Sequence, residues 1–184
     1  HQAANAAVAF GLLQLVKAQG LPWAQEDLLA GFDTVTWPGR MEYFPGPPSA
    51  LLDGAHNPDG VINLAHGLAK LFPERRIRLV VGILNNRPVE MMGMLLTSVL
   101  GDNLHRVYAT TVPDGKTAPS ARVARCFQDL GVNTVVIDDP LAALQAALAE
   151  MEADELLLVT GSLYLVGYLR PFILGHFAEA AGGS

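Results

Sequence analysis

The chain has 184 residues, 51% of them apolar and 16% charged, with a formal net charge of −6. That length supports one domain with a sizeable core, and the composition fits an ordered globular chain, not a disordered one. The acidic balance argues against broad nucleic-acid binding, which needs clustered Lys and Arg, and no apolar run reaches the roughly 18 residues of a membrane span.

Residues 3–20 are rich in Ala and Leu and predict a helix that ends near Gly20 and Pro22. From 20 to 48 the density of Pro and Gly (Gly31, Pro38, Gly39, Pro45, Gly46, Pro47, Pro48) predicts a connection between units, interrupted by a short strand at 41–44. From residue 49 a pattern repeats. Short apolar stretches end in Asp53, Gly82, Thr110, Ile137 and Thr160, and helical patterns follow at 58–72, 88–100, 119–131, 140–150 and 162–174. The tail, 179–184, reads as disordered. The first residue is His1 and not Met, so a preceding segment is expected. The single cysteine, Cys126, permits no internal disulfide, which suits the cytoplasm, and no secretory signal is visible. Cys126 shares a helical pattern with Val123, Ala124 and Phe127 and reads as a buried small hydrophobe. The cluster Met91, Met92 and Met94 reads as core packing.

Five strand–helix alternations predict an α/β fold: a doubly wound, mostly parallel sheet of five to six strands with helices on both faces, Rossmann-like. In such sheets ligands bind beyond the carboxyl ends of the strands. The stretches to inspect are therefore 53–58, 82–87, 110–116, 138–140 and 161–164.

The densest of these is Asp53-Gly54-Ala55-His56-Asn57-Pro58. Gly54 permits a tight turn, Asn57 is a candidate N-cap, and Pro58 suits the first helical position. The turn itself does not require Asp53 or His56. Asp53 is placed to accept hydrogen bonds from a hydroxylated ligand, and His56 lies by a helix N-terminus, where an anion is favoured. The bland alternative is that the two pair with each other or with backbone. Thr160-Gly161-Ser162-Leu163-Tyr164 repeats the design, with Ser162 as a cap. Two helix N-termini with His56 and Ser162 would cradle a small dicarboxylate. In Trp37-Pro38-Gly39-Arg40 a guanidinium follows a rigid turn, which suits phosphate, although a solvated surface charge is the usual case. There is no G-x-x-x-x-G-K-S/T phosphate loop, no G-x-G-x-x-G, no H-E-x-x-H, no paired cysteine ligands and no G-x-S-x-G. Gly115-Lys116-Thr117 reads as a loop, because no Gly precedes it at phosphate-loop spacing.

The hexapeptide D-G-A-H-N-P at 53–58 resembles the C-terminal signature of folylpolyglutamate and dihydrofolate synthases, within the Mur ligase superfamily. His1-Gln2 with Asn5-Ala6 resembles the end of that family's central ATPase domain. Trp37-Pro38-Gly39-Arg40 resembles the start of its C-terminal domain, and Gly82-Ile83-Leu84 and Gly161-Ser162-Leu163-Tyr164 resemble later segments. The resemblance implies three stretches: 1–36 as the end of the ATPase domain and a linker, 37–178 as the substrate-binding domain, and the tail. It implies a ligase in which ATP phosphorylates a folate or dihydropteroate carboxylate and the amine of L-glutamate attacks the acyl phosphate. Asn5, Arg40 and Asp53 would contact ATP, and His56 and Ser162 would lie near glutamate, with His56 the catalytic candidate. The phosphate loop and the Mg2+ ligands would belong to an N-terminal ATPase domain, the partner of this one. The chain departs from the family at Asn85-Asn86-Arg87, where an Asp-Lys-Asp run is usual, so the role of those acids is in doubt. A Mur-type ligase acting on peptidoglycan precursors and a non-catalytic α/β ligand-binding module are the competing readings. A receiver domain is disfavoured, since Asp53 has no acidic partner and Ser162 stands where a Lys is required.

Overall fold

The computed structural model describes residues 2–113 and 115–182. The chain forms two compact units, His1–Pro38 and Gly39–Ser184. The first carries helices α1 (Gln2–Ala18) and α2 (Gln25–Thr34), with Phe10 and Phe32 in ring contact at 6.4 Å. Helix α2 falls in the stretch expected as a bare connection. Its prolines, Pro22 and Pro38, lie outside it, and Glu26 and Asp27 in its first turn complement the helix dipole.

The second unit runs β1 (Glu42–Phe44), β2 (Ser49–Leu52), α3 (Pro58–Leu71), β3 (Ile77–Val81), α4 (Val89–Leu100), β4 (Leu104–Ala109), α5 (Ser120–Gln128), β5 (Thr134–Val136), α6 (Pro140–Ala149), β6 (Leu156–Thr160) and α7 (Leu163–Gly182). The six strands form one sheet in the order β1-β2-β6-β3-β4-β5. Only β1 is antiparallel to its neighbour. The doubly wound α/β expectation therefore holds, with an antiparallel edge. The alternation of a strand sends Leu51, Leu79, Val81, Val107 and Leu158 to one face, where α3, α4 and α5 pack. It sends Ala50, Leu52, Val80, Tyr108 and Val159 to the other, where α6 and α7 pack. Strands β2, β3 and β6 are buried on both faces, which is why each reads as an apolar run.

One consequence positions the site. Neighbouring strands β2 and β6 run parallel, but the helices that follow them, α3 and α7, leave to opposite faces. The sheet therefore has a topological switch point at the carboxyl ends of β2 and β6.

The opposite, amino-terminal edge is closed by charge. Arg78, 5% exposed, donates through Nε to the fully buried Glu155 at 2.5 Å and through Nη1 to the Tyr108 hydroxyl at 3.1 Å. His105 Nδ1 lies 2.9 Å from the second Glu155 oxygen, and Glu150 accepts from Tyr108, Arg78 and Arg106. Burial opposes ionisation of Glu155, but hydrogen bonds from Arg78 and the Glu152 N–H, with the Arg78 charge and His105, outweigh it and hold its pKa below the ordinary value.

Several expectations are corrected. Helix α7 continues through Gly182, so 179–182 are helical where disorder was expected, and 183–184 lie outside the described residues. Of the methionine cluster only Met92 is buried; Met91 and Met94 are about half exposed, since they sit on the outer face of α4. Cys126 is partly buried against the core, with its thiol donating to the Arg122 carbonyl, and burial pushes its pKa up. No helix among the described residues is long and apolar enough to cross a membrane.

Candidate functional site

The turn after β2 is built around Asp53. The residue is 4% exposed, and each carboxylate oxygen accepts a backbone N–H: Oδ1 from Ala55 and Oδ2 from Met41, both at 2.9 Å. Asp53 thus organises the turn and ties it to the segment before β1. The bland pairing with backbone is real, and a ligand would have only the remaining lone pairs. Burial pushes the Asp53 pKa up, partly offset by those two N–H donors and by the nearby charges of Arg40 and His56.

Arg40 is held from both sides. Gly39, at φ +72°, donates its N–H to Glu42 Oε2 at 2.8 Å, and its carbonyl accepts the Gly54 N–H at 2.8 Å. Met41 on the other side adopts φ +46°, a conformation rare for a side-chain-bearing residue. Glu42 is itself gripped by Arg170 of α7, with three contacts of 2.7–3.1 Å, and those bonds hold its carboxyl below the ordinary range. The Arg40 guanidinium has no hydrogen bond or ion pair among the described residues and is half-buried. A fixed backbone with an uncommitted guanidinium suits an anion, the role expected of Arg40. The Glu42–Arg170 pair went unseen in the sequence, for 128 residues separate its members.

His56 is half-buried, and its Nδ1 lies 2.9 Å from the Gly54 carbonyl. A carbonyl only accepts, so Nδ1 carries a proton. Neutral His56 therefore offers a lone pair at Nε2. Only the imidazolium can donate from Nε2 to a carboxylate. Asn57 caps α3 by accepting the Gly60 N–H at 2.7 Å, with Pro58 at the first helical position.

Ser162 is fully buried, and its Oγ accepts the Tyr164 N–H at 3.2 Å in the first turn of α7. The hydroxyl proton is not used by that bond. The two turns interlock: the Gly161 N–H donates to the Ala55 carbonyl at 3.0 Å, and a Cβ on Gly54 would meet Leu163 Cδ2 at 2.1 Å. Gly161, at φ +101°, also packs on the Gly82 carbonyl, 2.6 Å from where its Cβ would stand. Asp53, His56 and Ser162 thus occupy one edge of the sheet, at the switch point. Asn5 lies in the other compact unit, on a largely apolar cleft of about 440 Å³ lined by Leu13, Phe32 and Trp37. Its lining includes Asp27 but no Lys or Arg, so an anionic ligand is better sought at the switch point.

Other edge residues serve the fold. Ser120 donates to Asp138, Asp139 caps α6, and Thr117 accepts the Val112 N–H. Among the described residues no group of three or more His, Cys, Asp or Glu is arranged to hold a metal ion.

A doubly wound sheet with an Asp–Gly–x–His turn at its switch point defines the class, and the family comparison agrees. The chain belongs to the family described as Mur ligase, glutamate ligase domain, whose model matches residues 39–163. A probable bifunctional folylpolyglutamate synthase/dihydropteroate synthase of Halobacterium salinarum is 32% identical over 181 residues, 97% of this chain but 21% of that protein. The folylpolyglutamate synthase of Thermotoga maritima has a crystal structure that superposes with a TM-score of 0.71 at 31% identity, over 94% of this chain and 38% of that one. A Mycobacterium tuberculosis folylpolyglutamate synthase, complexed with ADP and AMPPCP, gives a TM-score of 0.67 at 25% identity, over 84% of this chain and 36% of that one. The chain thus spans well under half the length of the proteins it matches.

Proposed function

We propose that this chain is the C-terminal, substrate-binding part of an ATP-dependent ligase that adds L-glutamate to a folate or dihydropteroate carboxylate. ATP supplies the phosphoryl group that activates that carboxylate; the glutamate amine then forms the amide as phosphate leaves. The observation that carries the reading is the Asp53–Pro58 turn, set at the switch point of a glutamate-ligase-family domain and hydrogen-bonded through the Ala55 carbonyl to the Gly161–Ser162 turn. The names of the relatives favour the folate branch over peptidoglycan precursors. The reported ligands of the Mycobacterium tuberculosis relative support a nucleotide. The same evidence disfavours a non-catalytic module.

In this reading Arg40 meets the phosphates of ATP, and Asp53 fixes the Arg40 segment and lends a lone pair to a nucleoside hydroxyl. The Mg2+ ligands then belong to an N-terminal ATPase domain of the longer protein, and the 184-residue chain alone is expected neither to hydrolyse ATP nor to form an amide. His56, as imidazolium, donates from Nε2 to a glutamate carboxylate and so aims the amine; Ser162 lends its free hydroxyl proton to the same ligand. Misplacement by about 1 Å can cost on the order of a hundredfold in rate.

The test is His56→Ala in the full-length protein. Positioning predicts a raised glutamate KM, an ATP KM nearly intact, and a loss that saturating glutamate partly overcomes. A depressed kcat with an unchanged glutamate KM would make His56 the base that takes the amine proton through its Nε2 lone pair. No change in either would reduce His56 to part of the turn.

A further inference from the structure

Helix α7 meets the Arg40 segment at two successive turns. Ser162 heads the helix, and its carbonyl accepts the Val166 N–H at 3.1 Å. Val166 and Arg170 follow at four-residue steps, so the three share one face. Val166 lies against Gly39: a Cβ on that glycine would stand 2.8 Å from Val166 Cγ1. One turn further on, Arg170 grips Glu42, with Nε donating to Oε2 at 2.9 Å and Nη2 to Oε1 at 2.7 Å. The two side chains are 31% and 19% exposed, so solvent screens this pair less than one on the open surface.

The segment they hold, 39–42, closes on itself. Glu42 Oε2 accepts the Gly39 N–H at 2.8 Å, which leaves Arg40 and Met41 as the bend between them. Met41 bears a side chain at positive φ, a conformation that persists only where the surroundings impose it. Two bonds impose this one, Met41 N–H to Asp53 and Gly39 N–H to Glu42. The first acceptor is buried and is itself fixed by the Ala55 N–H. The second is a long, flexible side chain that would populate several rotamers if left to water. Arg170 occupies both of its oxygens and so holds the rotamer that reaches Gly39. The line of contacts from Arg170 through Glu42 ends on the residue next to Arg40, whose own guanidinium is uncommitted among the described residues. A pair that only stapled β1 to α7 would have no call on the Gly39 N–H.

We propose that Arg170 is a positioning residue for the nucleotide: through Glu42 and the Gly39 N–H it aims the Arg40 guanidinium at phosphate. The inference rests on the nucleotide reading of Arg40 above. It also makes α7 the single rigid element behind both halves of the site, with Ser162 at its head and Arg170 two turns along.

The experiment uses the full-length enzyme as wild type, Arg170→Met, Arg170→Lys, Arg40→Ala and the double variant Arg40→Ala/Arg170→Met. Steady-state kinetics are measured with ATP and glutamate as varied substrates, and melting temperatures are taken alongside. Arg170→Met is expected to raise the ATP KM on the order of tenfold and to leave the glutamate KM near that of the wild type. Arg170→Lys should recover part of the loss, because the charge remains while the fork is lost. In the Arg40→Ala background Arg170→Met should add nothing to the ATP KM, since the group it positions is gone. Should Arg170→Met not fold, Glu42→Gln weakens the same link from its other end and is judged by the same pattern. A lowered melting temperature with an unchanged ATP KM makes the pair a staple of the fold and overturns the inference. So does a rise of equal factor in the Arg40→Ala background, or an equal rise in both Michaelis constants. An Arg40→Ala enzyme with a wild-type ATP KM overturns the nucleotide reading of Arg40 itself, which distinguishes the two failures.

Discussion

Replacing Arg78 by Met would test what closes the amino-terminal edge of the sheet. Glu155 is fully buried and lies 2.5 Å from Arg78 Nε, and removing one member of a buried pair costs about 3–5 kcal/mol because the other charge is left uncompensated. Here Glu155 keeps His105 at 2.9 Å and Arg76 at 3.5 Å, both partly exposed, so the expected loss sits near the lower end, about 3 kcal/mol. For a domain of this size that is a fall in Tm of roughly 6–12 °C, read by circular dichroism at neutral pH. Pairing Arg78→Met with Glu155→Leu should restore at least half of the loss, since apolar replacement of a buried pair is often neutral. The pH dependence has a definite sign. Glu155 has a folded-state pKa below its ordinary 4.5, so its contribution is present above 4.5 and is lost as pH falls through the lower, folded value. The gap between wild type and Glu155→Gln should therefore be full at neutral pH and close in acid below 4.5. A Tm shift under about 2 °C for Arg78→Met, or a gap that widens in acid, would refute the reasoning.

Three further outcomes follow from the site. Gly54→Ala should destabilise by about 1–3 kcal/mol, because its Cβ would stand 2.1 Å from Leu163 Cδ2; a companion Leu163→Ala should return part of that in thermal melts. Asn57→Ala removes the cap of α3 and should cost about 1 kcal/mol in a urea titration, whereas Asn57→Ser should be nearly silent. In the full-length enzyme Arg40→Ala should raise the ATP KM by one to two orders of magnitude, about 1.5–3 kcal/mol, and spare the glutamate KM; the opposite pattern would remove Arg40 from the nucleotide.

The strands were legible because burial on both faces leaves an unbroken apolar run, as at Leu156–Thr160, and because Asn57-Pro58 and Asp139-Pro140 mark helix starts by cap and ring chemistry. Helix α2 was not legible: it spans ten residues with few apolar positions, Leu28, Leu29 and Phe32 among them, and Gly31 lies inside it. The insertion of β6 between β2 and β3 was equally hidden, since strand order depends on contacts about a hundred residues apart. At the site, residue identity pointed to Asp53, His56 and Ser162, and the topology brings them to one edge. Sequence could not show that Asp53 spends both oxygens on backbone N–H groups, because one of the donors, Met41, comes from a chain segment twelve residues earlier, shaped by the Arg170 grip on Glu42.

Gly39, Gly54 and Gly161 sit on three separate stretches of chain, joined by the Gly54 N–H to Gly39 carbonyl bond, the Gly161 N–H to Ala55 carbonyl bond and the packing of Leu163 on Gly54. Each glycine leaves the volume that a neighbouring stretch fills, so the three behave as a single mechanical part. Substitutions at these positions should then be strongly non-additive: once the first has pried the stretches apart, a second finds less left to lose. The same coupling means that a ligand seated on one stretch stiffens all three, which turns a set of short turns into a receptor with essentially one shape.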